Sequence, residues 1–173
     1  MKIIFFTLLI CSCTIFCSCA LAQPGKHTGS ALKTLINSSF TDEREVAGLE
    51  GFALYESSLL NRLDDPERLF LQVYAKGSER VVLFSALTDT IAFIFTVLDV
   101  LHLKNVREGL EFRSVKCRKN KVEDPQLLAL LMPAEKMYFN NIKKAWICDW
   151  KKKAFISIPV KGIDCLNEGY EQF

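Results

Sequence analysis

Two histidines, His27 and His102, are all that this 173-residue chain holds. They stand far apart, and no cluster of histidines and cysteines has zinc-ligand spacing. No G-x-S-x-G elbow presents a nucleophile. The 8 glycines form no phosphate-cradling loop. These absences predict no catalytic residues, no metal and no cofactor. Strong charge of one sign is also lacking: 22 Lys and Arg face 20 Asp and Glu, which argues against a general nucleic-acid binder.

What is present begins with an export signal. Met1-Lys2 is a short basic start, residues 3–16 are apolar, and Ala20-Leu21-Ala22 ends a small-residue stretch. That order predicts a secretory signal peptide over residues 1–22, cleaved after Ala22. The product is a periplasmic or secreted protein. Phe16-Cys17-Ser18-Cys19 also loosely matches an acylation box, so lipidation at Cys19 is the alternative, and contact with a membrane is expected only in that case.

Cleavage leaves 151 residues, enough for one ordinary domain. It reduces the 7 cysteines to Cys117, Cys148 and Cys165. An exported domain favours a disulfide, and three thiols allow one bridge and one leftover. A Cys117–Cys148 link would close a loop of about 32 residues, worth about 3–4 kcal/mol in the chain-entropy model. Charge is uneven along the mature chain: residues 23–103 carry 7 basic and 11 acidic residues, residues 104–173 carry 14 and 9. The basic stretches around Arg118, Lys119 and Lys121 and at Lys151-Lys152-Lys153 read as solvated loops, or as a surface for an acidic partner.

The apolar spacing predicts helices. Leu32, Leu35 and Ile36 share one face of a short helix over residues 30–38. Thr41 caps a second that runs to about Asn61, with Asp42, Glu43 and Glu45 in its first turn. Asp65-Pro66 starts a third, and Lys76-Gly77 stops it. Residues 78–103 are the most apolar part of the mature chain. Asp89 and Asp99 oppose a membrane span, since each costs roughly 2.5–3.5 kcal/mol near mid-bilayer. A buried helix is expected there, with a strand pair as the alternative because residues 81–84 and 91–95 are β-prone. On a helix the two aspartates sit about 80° apart, which favours structural hydrogen bonding over a catalytic pair. His102 and Asp99 would form a helix-end pair. Asp124-Pro125 opens a further helix, kinked at Pro133, with Met137, Phe139, Ile142 and Trp146 on its apolar side and Lys143 blurring it. Residues 154–160 alternate like a strand, which allows a small hairpin over residues 145–160. Asn37-Ser38-Ser39 is a glycosylation sequon, meaningful only in a eukaryotic secretory route. The expected architecture is mainly α: a compact bundle of about five helices over residues 23–148, with residues 149–173 packed on the same domain.

Three separated pieces resemble the periplasmic immunity family that protects bacteria against type VI secreted peptidoglycan amidases. Residues 28–38 are similar to that family's T-G-x-x-L-x-x-L-C, with Ile36 for the cysteine. Cys117, Val122 and Gln126-Leu127 resemble C-x-P-x-x-V-x-x-x-Q-L, with Lys119 for the proline. Ala145-Trp146-Ile147-Cys148 resembles A-F-P-C, with Ile147 for the proline. The pieces cover about 26 residues, and the spacings between them differ from the family's. The resemblance implies a Cys117–Cys148 disulfide, a small helical bundle that can form a homodimer, and a non-enzymatic role: binding and neutralising a secreted peptidoglycan-targeting toxin. Arg118, Lys119 and Lys121 are the expected partner-binding residues. The alternative function is an envelope lipoprotein or structural protein anchored through Cys19.

Overall fold

A computed structural model describes residues 32–61, 65–114 and 116–170. The expected helical bundle is absent. The described residues form thirteen strands and one 3-10 turn, with no α-helix. The turn is Leu32–Leu35, all that remains of the first expected helix. The strands are β1 (Ser39–Phe40), β2 (Ala53–Leu59), β3 (Arg68–Lys76), β4 (Glu79–Asp89), β5 (Ile94–Leu103), β6 (Glu111–Arg113) and β7 (Cys117–Lys119). They continue as β8 (Val122–Glu123), β9 (Leu127–Met132), β10 (Tyr138–Phe139), β11 (Asn141–Asp149), β12 (Ala154–Ile158) and β13 (Ile163–Leu166).

Three antiparallel sheets result. The first has the order β1-β5-β4-β3-β2, the second β12-β11-β9-β6, and the third β10-β13-β7-β8. They stack in layers. Leu71, Val73, Val82 and Phe84 of the first sheet pack against Leu128, Leu130, Trp146 and Cys148 of the second. On the first sheet's other face, Tyr74, Val81, Leu83 and Val97 are covered by Leu32, Leu35, Val46 and Leu49 of the N-terminal segment. On the second sheet's other face, Leu127, Ala129 and Leu131 meet Cys117, Phe139, Ile163 and Cys165 of the third.

This layering explains the misleading sequence pattern. Strands β4 and β9 are covered on both faces, so Val81 to Leu87 and Leu127 to Leu131 are all buried. A strand with two buried faces reads as a continuous apolar run, without the alternation that separates strand from helix. The apolar stretch over residues 78–103 is therefore the strand pair, β4 and β5, with partners such as Val82↔Leu101. The hairpin over residues 145–160 is β11 with β12, paired from Ala145↔Ile158 to Asp149↔Ala154. Residues 149–170 supply β12 and β13, which complete the second and third sheets.

The aspartate–proline signal at 124 marks a turn, not a helix start. Asp124 Oδ1 accepts the Gln126 N–H at 2.9 Å and the Asp124 carbonyl accepts the Leu127 N–H at 3.0 Å. Aspartate at the first position and proline at the second suit such a turn as well as they suit a helix cap. At Asp42 the same ambiguity resolves the same way: its carboxylate accepts the Arg44 N–H at 2.8 Å, and no helix follows.

A polar cluster fastens the N-terminal segment to the first sheet. Glu43 Oε1 accepts from Ser57 Oγ at 2.8 Å and from Gln72 Nε2 at 3.0 Å, and the Glu43 carbonyl accepts from Tyr74 OH at 2.8 Å. Buried Ser85 donates to Gln72 Oε1 at 2.7 Å, so the fully buried amide has partners at both ends. Burial, helped by the nearby Glu43 and Asp42 carboxylates, pushes the Tyr74 phenol well above its ordinary pKa.

Asp99 ties the first two sheets together. Its Oδ1 accepts the Val100 N–H at 2.8 Å, and its Oδ2 accepts the Phe155 N–H of β12 at 2.7 Å. Asp99→Ala is expected to cost about 1.5–3 kcal/mol, the range for hydrogen bonds to a charged group. Urea unfolding monitored by circular dichroism reads it, with Asp99→Asn expected to recover part of the loss.

Candidate functional site

Strand β5 ends on Leu103, and the chain then loops through residues 104–110 before β6. This loop, the end of β5, and strands β9 and β11 enclose a groove of about 480 Å³. Its floor is apolar: Leu103, Val106, Leu110, Leu130 and Met132. Its rim is basic: His102, Lys104, Arg107, Lys143 and Lys144. The volume falls within the range of small-ligand clefts, and clustered cations over a low-dielectric wall focus a positive potential.

Two backbone features assemble the rim. Successive strand residues normally point to opposite faces. The β11–β9 register slips between Ile142 and Lys144, leaving Lys143 as an unpaired bulge residue. A bulge re-aims side chains, and here both Lys143 and Lys144 line the groove. Asn105, at φ 52°, turns the chain after β5, and the Val106 N–H donates to the Ser78 carbonyl at 2.8 Å. That bond holds the loop carrying Arg107 against the β3–β4 turn.

His102 does not pair with Asp99. Three residues apart on a strand, they project to opposite faces. His102 Nε2 instead contacts Glu79 Oε2 at 2.8 Å. Its Nδ1 is buried and has no hydrogen-bond partner among the described residues. Arg107, Lys143 and Lys144 meet no carboxylate among the described residues either. The groove thus offers uncommitted positive charge at Arg107, Lys143 and Lys144.

A larger hollow of about 650 Å³ lies beside Phe139, Pro133 and Tyr170. Its only basic lining residue, Arg113, is already committed: Nη2 pairs with Glu111 at 2.7 Å and the guanidinium lies over the Phe139 ring at 5.4 Å. Glu111 and Glu135 outnumber that one guanidinium, so of the two it is only the smaller groove that holds positive charge in excess.

The residues expected to act from the sequence fare differently. Cys117 pairs with Cys165, not with Cys148. Register explains the correction, because Cys117 and Cys165 face each other directly across β7 and β13. Cys148 lies on β11 and packs into the core between the first and second sheets, whereas Cys117 and Cys165 belong to the core between the second and third. It is a free, buried thiol, and burial, with the Asp99 and Asp149 charges nearby, holds it protonated well above its ordinary pKa. Cys19 lies outside the described residues.

Arg118 is a structural group. It makes a bidentate pair with Asp164, at 2.6 and 2.9 Å, and lies 3.4 Å over the centre of the Tyr138 ring. Hydrogen bonding to Asp164 raises its pKa further. Lys119 and Lys121 are exposed around the tight β7–β8 turn, where Asn120 and Lys121 both have positive φ. The structure brings none of these three into the groove. Asp89 serves a turn, its Oδ1 accepting the N–H groups of Ile91 and Ala92, each at 2.8 Å; those bonds lower its pKa. Among the described residues no three His, Cys, Asp or Glu side chains gather as a metal-ligand set.

The sequence signal for the groove was Lys143 blurring the apolar side of an expected helix. Its meaning depends on a bulge that no local pattern announces. No family model, curated protein or solved structure matches this chain.

Proposed function

We propose that this chain is an exported, non-enzymatic binding protein that captures an acidic segment of a protein partner in the groove edged by His102, Lys104, Arg107, Lys143 and Lys144. The observation that carries this reading is the uncommitted positive charge of Arg107, Lys143 and Lys144 over an apolar floor. Such a surface favours a ligand with carboxylates around an apolar side chain, because each part of the ligand finds its complement. The sequence resemblance to the immunity family supplies the partner class, a secreted peptidoglycan-targeting toxin. The helical bundle and the Cys117–Cys148 bridge implied by that resemblance are not there, so the toxin rests on the sequence pieces alone.

The test uses the protein as the cell processes it. A fluorescent peptide of acidic residues around one phenylalanine serves as the probe. The double variant Lys143→Glu/Lys144→Glu is expected to weaken its binding at least tenfold, and wild-type binding is expected to fall steeply with added salt. Equal binding by the double variant removes the groove from the function. Cells exporting the wild type are expected to survive a neighbouring gene's toxin, and cells exporting the variant to lose that protection.

A further inference from the structure

At the opposite end of β5 from the groove stands the β4–β5 hairpin, with residues 90–93 as its tip. Eight strand steps from Ile94 to His102 span roughly 25 Å. Ile91 is 93% exposed and Phe93 is 60% exposed, and Phe93 holds a positive φ of 51°. Neither side chain belongs to a core cluster.

The turn itself does not demand apolar residues. The β11–β12 hairpin is built on the same frame. Asp149 Oδ1 accepts the N–H groups of Lys151 and Lys152 at 3.0 and 2.9 Å, and Lys153 takes φ 51°. That tip carries three lysines where the first carries Ile91 and Phe93. The two hairpins share an aspartate and a left-handed residue, and differ in what they present.

Carboxylates surround the apolar tip. Asp89 anchors it, and Phe93 borders a hollow shared with Asp42, Glu43 and Arg44. Two carboxylates thus share that hollow with one guanidinium, and Asp89 adds a third at the base of the tip. The tip is apolar with an acidic surround, and the groove is apolar with a basic rim.

We propose that a second copy of this chain occupies the groove: the β4–β5 tip of one molecule enters the basic groove of the next. This rests on the reading of the groove as a site for an acidic segment. Tip and groove lie at opposite ends of one strand, so a molecule cannot fill its own groove. The contact is heterologous and runs head to tail. A tip in a groove is a small interface, and small interfaces are weak, so association belongs in the micromolar range or above. A protein partner with an acidic segment would displace the neighbouring copy.

Sedimentation velocity of the processed protein tests this across a concentration series. The wild type is expected to show a sedimentation coefficient that rises with concentration and falls with added salt. Two variants each remove one half of the contact: Ile91→Ser/Phe93→Asn blunts the tip with a residue suited to positive φ, and Lys143→Glu/Lys144→Glu reverses the rim. Each alone is expected to weaken association at least tenfold, with circular dichroism and Tm confirming the fold. Mixed together they are expected to form a 1:1 dimer and nothing larger, because one intact tip and one intact groove remain. A wild type that stays monomeric, assembly that survives either variant, or a mixture that stays monomeric overturns the proposal. So does tip-dependent flotation with phosphatidylglycerol vesicles by a chain that is monomeric in solution. If Ile91→Ser/Phe93→Asn still binds the acidic peptide while the wild type does not assemble, only the head-to-tail contact fails. If Lys143→Glu/Lys144→Glu binds that peptide normally, the groove reading fails with it.

Discussion

Replacing both Cys117 and Cys165 by alanine is expected to lower the unfolding free energy by about 4 kcal/mol. The bridge spans a sequence separation of 48 residues. Cross-linking a loop of that size removes conformational freedom from the unfolded chain worth about 4 kcal/mol at 25 °C. The closed loop contains β8 to β12, so its loss loosens the second sheet as well as the third. Cys148→Ala is the control. It removes one buried sulfur from a packed core and is expected to cost about 1 kcal/mol, on the scale of a buried methylene. Urea unfolding with and without reductant measures both. The double variant should be insensitive to reductant, while Cys148→Ala should remain sensitive. A Cys117–Cys148 bridge would instead make Cys148→Ala insensitive to reductant as well. Non-reducing peptide mapping gives the same answer directly, through a linked pair of peptides carrying Cys117 and Cys165.

Phe84→Ala is expected to destabilise the chain by about 3–5 kcal/mol, the range for emptying a buried aromatic site. Phe84 is fully buried in the core between the first and second sheets, with its ring centre 6.0 Å from that of Phe155. Neither sheet can collapse into the space without breaking the register of β3, β4 and β5, so most of the cavity should persist. In a domain of this size the loss corresponds to roughly 6–20 °C in Tm. Ile91→Ala, seven residues on in the same apolar stretch, is expected to stay within about 0.5 kcal/mol of the wild type. Its side chain is almost wholly solvent-exposed and has no packing to lose. Thermal scans of the two variants side by side test the fold itself, since one helix across residues 78–103 gives no reason for so large a difference.

The contrast between Phe84 and Ile91 shows where sequence reasoning stopped. Both lie in one apolar stretch, and residue type alone does not separate a double-buried strand from a hairpin tip. Periodicity failed because β4 and β9 are covered on both sides. Asp124-Pro125 pointed to a helix because an aspartate carboxylate accepts nearby backbone N–H groups equally well at a helix start and in a turn, and Asp42, expected in a helix's first turn, serves a turn as well. Punctuation was more legible than type. Gly77 falls at the two-residue turn between β3 and β4, where it takes φ 53°. The alternation over residues 154–160 falls on β12, Ala154–Ile158.

The groove was less legible still. Its five basic residues come from the end of β5, the loop after it, and a bulge in β11, and they span residues 102 to 144. Charge along the chain pointed to Arg118, Lys119 and Lys121. Arg118 is spent on Asp164, and the two lysines sit on an isolated turn.

By itself the sequence determined the balance of charge, the absence of a local catalytic or metal motif, the excess of basic residues after residue 103, and the positions of several chain reversals. These are properties of composition and of a few neighbouring residues. The tertiary structure alone decided that the apolar runs are strands, which cysteine meets Cys117, and which lysines gather over an apolar floor. Each of those depends on register between segments far apart in the chain. Register is set by how three sheets share their faces, and no short stretch of residues carries that information.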